Sequence, residues 1–210
     1  GQRLSEWCGH GPILEQDIAI TNISLDLIGE ARNIYQYIAE MEGNGKTEDY
    51  YPFLRKEHQF YNVLLVEHQN VDWAYTMVRQ SMFDTFHYYK LQQLKESTDD
   101  RIAAIATKSL KEVTYHLRFS SEWLIRLGDG TEESNSKMQK ALNDLYKFFE
   151  ELFEISESEK TLIENGIIKS DDIKSQTIQR FKENVANATL ILPRNVVPRT
   201  GGKKGVHTEH

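Results

Sequence analysis

The chain has 210 residues, 39% of them hydrophobic, and a formal net charge of −7. That is enough apolar material for one domain with its own core, and the scattered basic residues exclude the concentrated positive stripe that nucleic acid requires. The single cysteine, Cys8, excludes an internal disulfide framework and cysteine-based metal spacing, so a reducing cytoplasm is the expected compartment. No apolar run approaches the roughly 18 to 20 residues that cross a bilayer, and no signal peptide is visible, so no membrane partner is expected.

Only 4 prolines occur, none between Pro52 and Pro193, and apolar residues recur at three- and four-residue spacing. That pattern predicts an all-α bundle. Residues 2–8 read as the end of a helix stopped by Gly9, Gly11 and Pro12, and a long helix follows over 14–42, ended by Gly43-Asn44-Gly45. A short helix is predicted over 53–66 and a long one over 72–95, with Asp72 as N-cap. The next runs over 101–127 and closes at Gly128-Asp129-Gly130; Thr131 then caps a helix over 131–153, with Glu132 and Glu133 on the positive end of its dipole. Shorter helices over 158–164 and 170–188 complete a bundle domain of residues 1–189. Residues 190–210, with two prolines and Gly201-Gly202, read as an extended, flexible C-terminal tail.

Inside the long helices lies a recurring polar pattern. Asn22, Asp26, Glu30 (or Gly29) and Asn33 share one face of the helix over 14–42, beside an apolar row of Ile20, Ile23, Leu27, Ile34 and Ile38. The helix over 72–95 offers Asp84 and His87 at i, i+3, and that over 101–127 offers Glu112 and His116 at i, i+4. Carboxylate-bridged di-iron bundles use one Glu from each of two helices and a Glu-x-x-His pair from each of the other two, because residues three apart aim at one point on the bundle axis. Here the pattern is defective: Leu27 stands three residues before Glu30, Val113 three before His116, and Tyr115 three after Glu112. A metal-empty bundle is the expectation. Asp84-x-x-His87 arises readily by chance in a helical chain with 7 histidines, leaving His87 free to face solvent, and His116 is expected to hydrogen-bond Glu112 or another inward carboxylate. Carboxylates buried without metal need partners, since an uncompensated charge costs several kcal/mol. Arg32, Arg79, Lys111 and Arg118 are the cations expected to serve, while Trp7, Trp73, Trp123, Tyr35 and Tyr37 read as core and interface residues.

Several stretches together carry a family resemblance: residues 2–10 (QRLSEWCGH), 25–32 (LDLIGEAR), 64–67 (LLVE), 111–119 (KEVTYHLRF), 126–131 (RLGDGT) and 199–210 (RTGGKKGVHTEH). In combination they resemble the C subunits of the bacterial phenylacetyl-CoA 1,2-epoxidase, a multicomponent monooxygenase of aerobic phenylacetate catabolism. The resemblance implies a ferritin-like helical bundle with additional helices and a non-catalytic, structural role. It further implies pairing with a homologous catalytic partner, the A subunit, that carries the di-iron centre, in a complex that includes an NADPH-dependent reductase, with no cofactor in this chain. On that reading Glu6, Asp26, Glu30, Asp84, Glu112 and His116 are the remnants of a former di-iron site, and Glu30 stands where the family often has Gln. Family members usually extend further at both ends, so the chain is expected to be the ordered part of a longer one. Two alternatives stay open. One is a di-iron oxygenase in its own right, recruiting Glu6, Glu30, Asp84, Glu112 and His116 as an irregular ligand set. The other is a free-standing acyl-CoA-binding helical protein, for which Gly201-Gly202-Lys203-Lys204-Gly205 lacks the flanking strand and helix of a phosphate loop.

Overall fold

A computed structural model describes residues 1–208, with Glu57 described through its backbone alone. The described residues form helices and connecting loops, with no strand among them. A short α1 (Gln2–Ser5) leads into α2 (Leu14–Glu42), whose Glu15 and Asp17 lie on the positive end of its dipole. After α3 (Tyr50–Phe53) come α4 (Trp73–Leu94) and α5 (Asp100–Gly128). Asp72 caps α4 by accepting from the Tyr75 N–H at 2.9 Å, and Asp99 caps α5 by accepting from Arg101 and Ile102. α6 (Glu132–Leu145) opens on a reciprocal Thr131–Ser134 capping box and α7 (Glu157–Glu164) on a Ser156–Glu159 box. α8 (Ile173–Asn187) is capped by Asp172.

α4 is the central helix, packed against α5, α6 and α8. Its Met77, Val78 and Met82 join Ile20 and Ile23 of α2, Leu124 of α5, Met138 and Leu142 of α6 and Phe181 of α8 in one cluster. Each fully buried side chain of this size contributes roughly 1.5 to 3 kcal/mol of transfer free energy. Polar residues ring the same helix: Arg79, Gln80, Asp84, Thr85 and His87 are buried too. A helix buried on all sides therefore carries polar groups that must find partners inside. α2 lies differently, chiefly against α1 and α5, and buries only Gln16, Ile20, Ile23 and Ser24. Trp7, Trp73 and Trp123 form a chain of edge-to-face contacts, with centroids 5.2 and 6.3 Å apart. Tyr35 stacks on Tyr51, and the Tyr37 hydroxyl donates to Asp99.

Three expectations are corrected. No helix covers 53–66; short turns at Tyr50–Phe53, Glu57–Gln59 and Leu64–Glu67 replace it. Phe53, Leu54 and Tyr61 are exposed, and the Leu64 N–H is taken by the Glu151 carboxylate at 2.5 Å rather than by a helix carbonyl. The helix expected over 131–153 ends at Leu145 and continues as 3-10 turns, where the Lys147 carbonyl accepts from the Arg199 N–H instead. The tail, expected to be flexible, folds back onto the body through residue 208; Glu209 and His210 lie outside the described residues. Fully buried Glu151 accepts the N–H groups of Gly201 and Gly202, and Lys203 Nζ donates to the carbonyls of Leu152 and Glu154. Gly202 is required there, since a Cβ would lie 2.1 Å from the Asn62 carbonyl oxygen. At the end of α5 a Cβ on Gly128 would meet the Ala188 carbonyl at 2.4 Å, so α8 closes on α5 only over a glycine.

Candidate functional site

The inward polar residues of α2, α4 and α5 meet in two histidine–carboxylate pairs. His116 Nε2 of α5 lies 3.0 Å from Asp26 Oδ2 of α2, and His87 Nε2 of α4 lies 2.8 Å from Glu30 Oε1 of α2. Antiparallel packing of α2 and α5 and the one-turn spacing of Asp26 and Glu30 put both carboxylates on the side of α2 that faces its neighbours. His116 is completely buried and Asp26 half-buried; His87 and Glu30 are both largely buried. His87 therefore does not face solvent, and His116 pairs with Asp26 rather than Glu112.

Asp84 belongs to the same set. It is fully buried, accepts from Gln80 Nε2 at 2.6 Å, and has its carboxyl pushed up to about 6 by burial. The His116, Ser120, Gln80 and His87 side chains oppose that shift without cancelling it. Its second oxygen, Oδ2, and the Nδ1 atoms of His87 and His116 are buried with no hydrogen-bond partner among the described residues. Glu112, partly buried at the α2–α5 seam, is also pushed upward, first by burial and then by the Asp26 charge, with Lys108 and His116 pulling it down.

Glu6 stands apart from this set. It is exposed, paired with Arg3 at 2.9 Å, and accepts from Asn70 Nδ2 at 3.0 Å. Nor do the expected cations serve the inward carboxylates. Arg32 binds Glu48 at the surface, buried Arg79 donates to the His68 carbonyl and Asn70 Oδ1, and Arg118 lies over the Tyr115 ring. The imidazoles of His87 on α4 and His116 on α5 take that role at Glu30 and Asp26. Gln80 is legible in the sequence as a partner of Asp84, one turn away; the cross-helix pairing of His87 with Glu30 has no local signal.

Among the described residues, no group of three or more His, Cys, Asp or Glu side chains converges as a metal-binding cluster. A cavity of about 610 Å³ opens beside the Glu30–His87 pair, walled by Leu27, Phe83, Arg3 and Arg79 among others. Both arginines are already engaged, Arg3 with Glu6 and the Glu67 carbonyl, so the cavity does not present a ready-made anion clamp.

These features define a ferritin-like helical bundle in which histidine–carboxylate pairs tie an outer helix to the inner ones. The chain belongs to the family of phenylacetic acid catabolic proteins, whose model matches residues 1–210. It is 48% identical over all 210 residues to the C subunit of the 1,2-phenylacetyl-CoA epoxidase of Escherichia coli strain K12, and spans 84% of that protein. No helix among the described residues is long and apolar enough to cross a membrane.

Proposed function

We propose that this chain is the non-catalytic structural subunit of a cytoplasmic phenylacetyl-CoA 1,2-epoxidase, pairing with and stabilising the di-iron catalytic partner, the A subunit. Electrons reach that partner from an NADPH-dependent reductase of the same complex. The observation that carries the reading is the state of the inward donors. Each imidazole has its Nε2 against a carboxylate of α2, and the positions where a Glu-x-x-His site needs its glutamates hold Leu27 and Val113. Leu27 packs on the main core, and Val113 is buried with Leu91 and Ala106. Hydrocarbon in those places removes two anionic ligands, so the residues present do not fit a di-iron centre.

The test is iron content and turnover. Purified alone from iron-replete medium, the chain should hold far less than one iron per polypeptide and should not turn over phenylacetyl-CoA; activity should require the catalytic partner. Two irons per chain with the absorption of an oxo-bridged centre would overturn the assignment.

A further inference from the structure

The outer surface of α2 is built unlike that of a solvent-facing helix. Leu14, Ile18, Leu25 and Ile28 are 48% to 71% exposed. With Thr21 and Arg32 they recur at three- and four-residue spacing along one line, on the side of α2 away from its buried Ile20 and Ile23. α5 lies beside α2 and antiparallel to it, as the Asp26–His116 and Glu40–Arg101 contacts show. Its own outward line is Lys111, Tyr115, Arg118, Glu122 and Arg126. Arg118 and Arg126 lie over the rings of Tyr115 and Trp123, and neither they nor Lys111 have a carboxylate within 4.0 Å among the described residues. A chain of net charge −7 thus sets three cations without a carboxylate partner among the described residues along one line, with the single acid Glu122 between them, next to an exposed apolar stripe.

Gly29 supplies an independent observation. It sits in the middle of α2, between the apolar stripe and the α5 side, and a Cβ built on it meets nothing within 4 Å. A glycine inside a helix costs about 1 kcal/mol relative to alanine, and no neighbour among the described residues requires it. Among the described residues nothing crowds the position, which leaves room there for close approach of another backbone.

We infer that the outward face of α2 and α5 is the docking surface for a helical partner protein, apolar opposite α2 and acidic opposite α5. Both helices have 29 residues. At about 1.5 Å per residue each is roughly 43 Å long, and two helices side by side, each about 10 Å across, present a face of roughly 43 by 20 Å, close to the roughly 800 Å² each partner contributes to a stable interface. A second copy of this chain fits the charges poorly. A twofold axis through the face would oppose the basic row either to itself or to the apolar stripe. The partner is identified with the catalytic, di-iron component only through the function proposed above.

The experiment co-expresses the chain with that catalytic partner and measures association by sedimentation, alongside the chain alone. Leu25→Asp combined with Ile28→Asp should raise the dissociation constant at least about a hundredfold. Arg118→Glu should weaken binding and flatten its salt dependence. Gly29→Ala should raise the melting midpoint of the free chain by about 2 to 4 °C while weakening association, a split that mere damage to the fold cannot produce. Ile191→Asp, an exposed apolar residue beside α6, should leave association unchanged. Wild-type binding that survives the α2 substitutions overturns the docking face and spares the proposed function. No wild-type association overturns the choice of the catalytic partner, and this inference with it. Dimerisation of the chain alone that Leu25→Asp and Ile28→Asp abolish gives the face to a second copy and also overturns the inference.

Discussion

Replacing Asp84 with asparagine should make the chain more resistant to denaturation as pH rises. The wild-type carboxyl is fully buried and titrates at about 6, against an ordinary value of 3.8. The folded chain therefore binds that proton more tightly than the unfolded one. Below about pH 4 both states hold the proton and burial of Asp84 carries no ionisation penalty. Between about 4 and 6 the unfolded chain releases it first and stability falls; above 6 the full penalty stands, roughly 3 kcal/mol for that difference in pKa. The Asp84→Asn side chain keeps an oxygen to accept from Gln80 and has nothing to ionise. Any fixed cost of its amide, about 1 to 3 kcal/mol if a donor is left unpartnered, is the same at every pH. The diagnostic quantity is thus the change in the stability difference between variant and wild type, which should move by roughly 2.5 kcal/mol in the variant's favour from pH 4 to pH 7. Urea denaturation followed by far-ultraviolet circular dichroism at pH 4, 5, 6 and 7 measures it. The upward-shifted Glu112 titrates in both proteins, so its contribution largely cancels. A difference that stays constant across that range refutes the account of a buried, reluctantly ionised Asp84.

Two further outcomes are expected. Glu151→Gln removes a carboxylate that serves three backbone N–H groups, those of Leu64, Gly201 and Gly202, and should destabilise the chain by about 1 to 3 kcal/mol. Limited proteolysis should then cut first within residues 190–208, and a variant as resistant as wild type would show that the tail is held by other contacts. Glu30→Gln and His116→Gln each change the charge or donor chemistry of one cross-helix pair while keeping its shape. Turnover of phenylacetyl-CoA per mole of intact complex should stay near normal, falling only as assembly falls, whereas a hundredfold loss with assembly intact would place that residue in the catalytic machinery.

What the sequence discloses of the fold depends on whether the determining contacts are local. α2 runs over 14–42 as its apolar spacing and Gly43 predict, and Asp72 and Thr131 cap helices because an N-cap acts within three residues of itself. The segment 53–66 and the end of the helix after Leu145 escape such a reading because distant groups take over their hydrogen bonds. Glu151 reaches 87 residues back to Leu64, and Arg199 reaches Lys147. The tail escapes it for the same reason: its glycines suggest freedom, whereas Gly202 fills a place too close to Asn62 for any side chain. In the candidate site the identities of Asp26, Glu30, Asp84, Glu112 and His116 are legible from their spacing. Their pairing is not, because which imidazole meets which carboxylate depends on the rotation of α2 about its axis, and a single helix carries no record of that angle.

That angle links the buried pairs to the outward face. Buried polar pairs add little net stability over apolar residues of similar volume, but they can fix one arrangement among several of similar energy. α2 buries only Gln16, Ile20, Ile23 and Ser24, a narrow strip for a helix of 29 residues, and hydrocarbon packing alone tolerates some rotation and sliding. The Asp26–His116 and Glu30–His87 contacts hold it from two directions, one from α5 and one from α4, a single turn apart. Together they fix both the rotation and the register of α2. With those fixed, Leu25 and Ile28 point outward and Gly29 lies toward the α5 side. The histidine–carboxylate pairs thus act on orientation: they set the angle at which α2 carries its exposed apolar stripe, the face proposed above for docking.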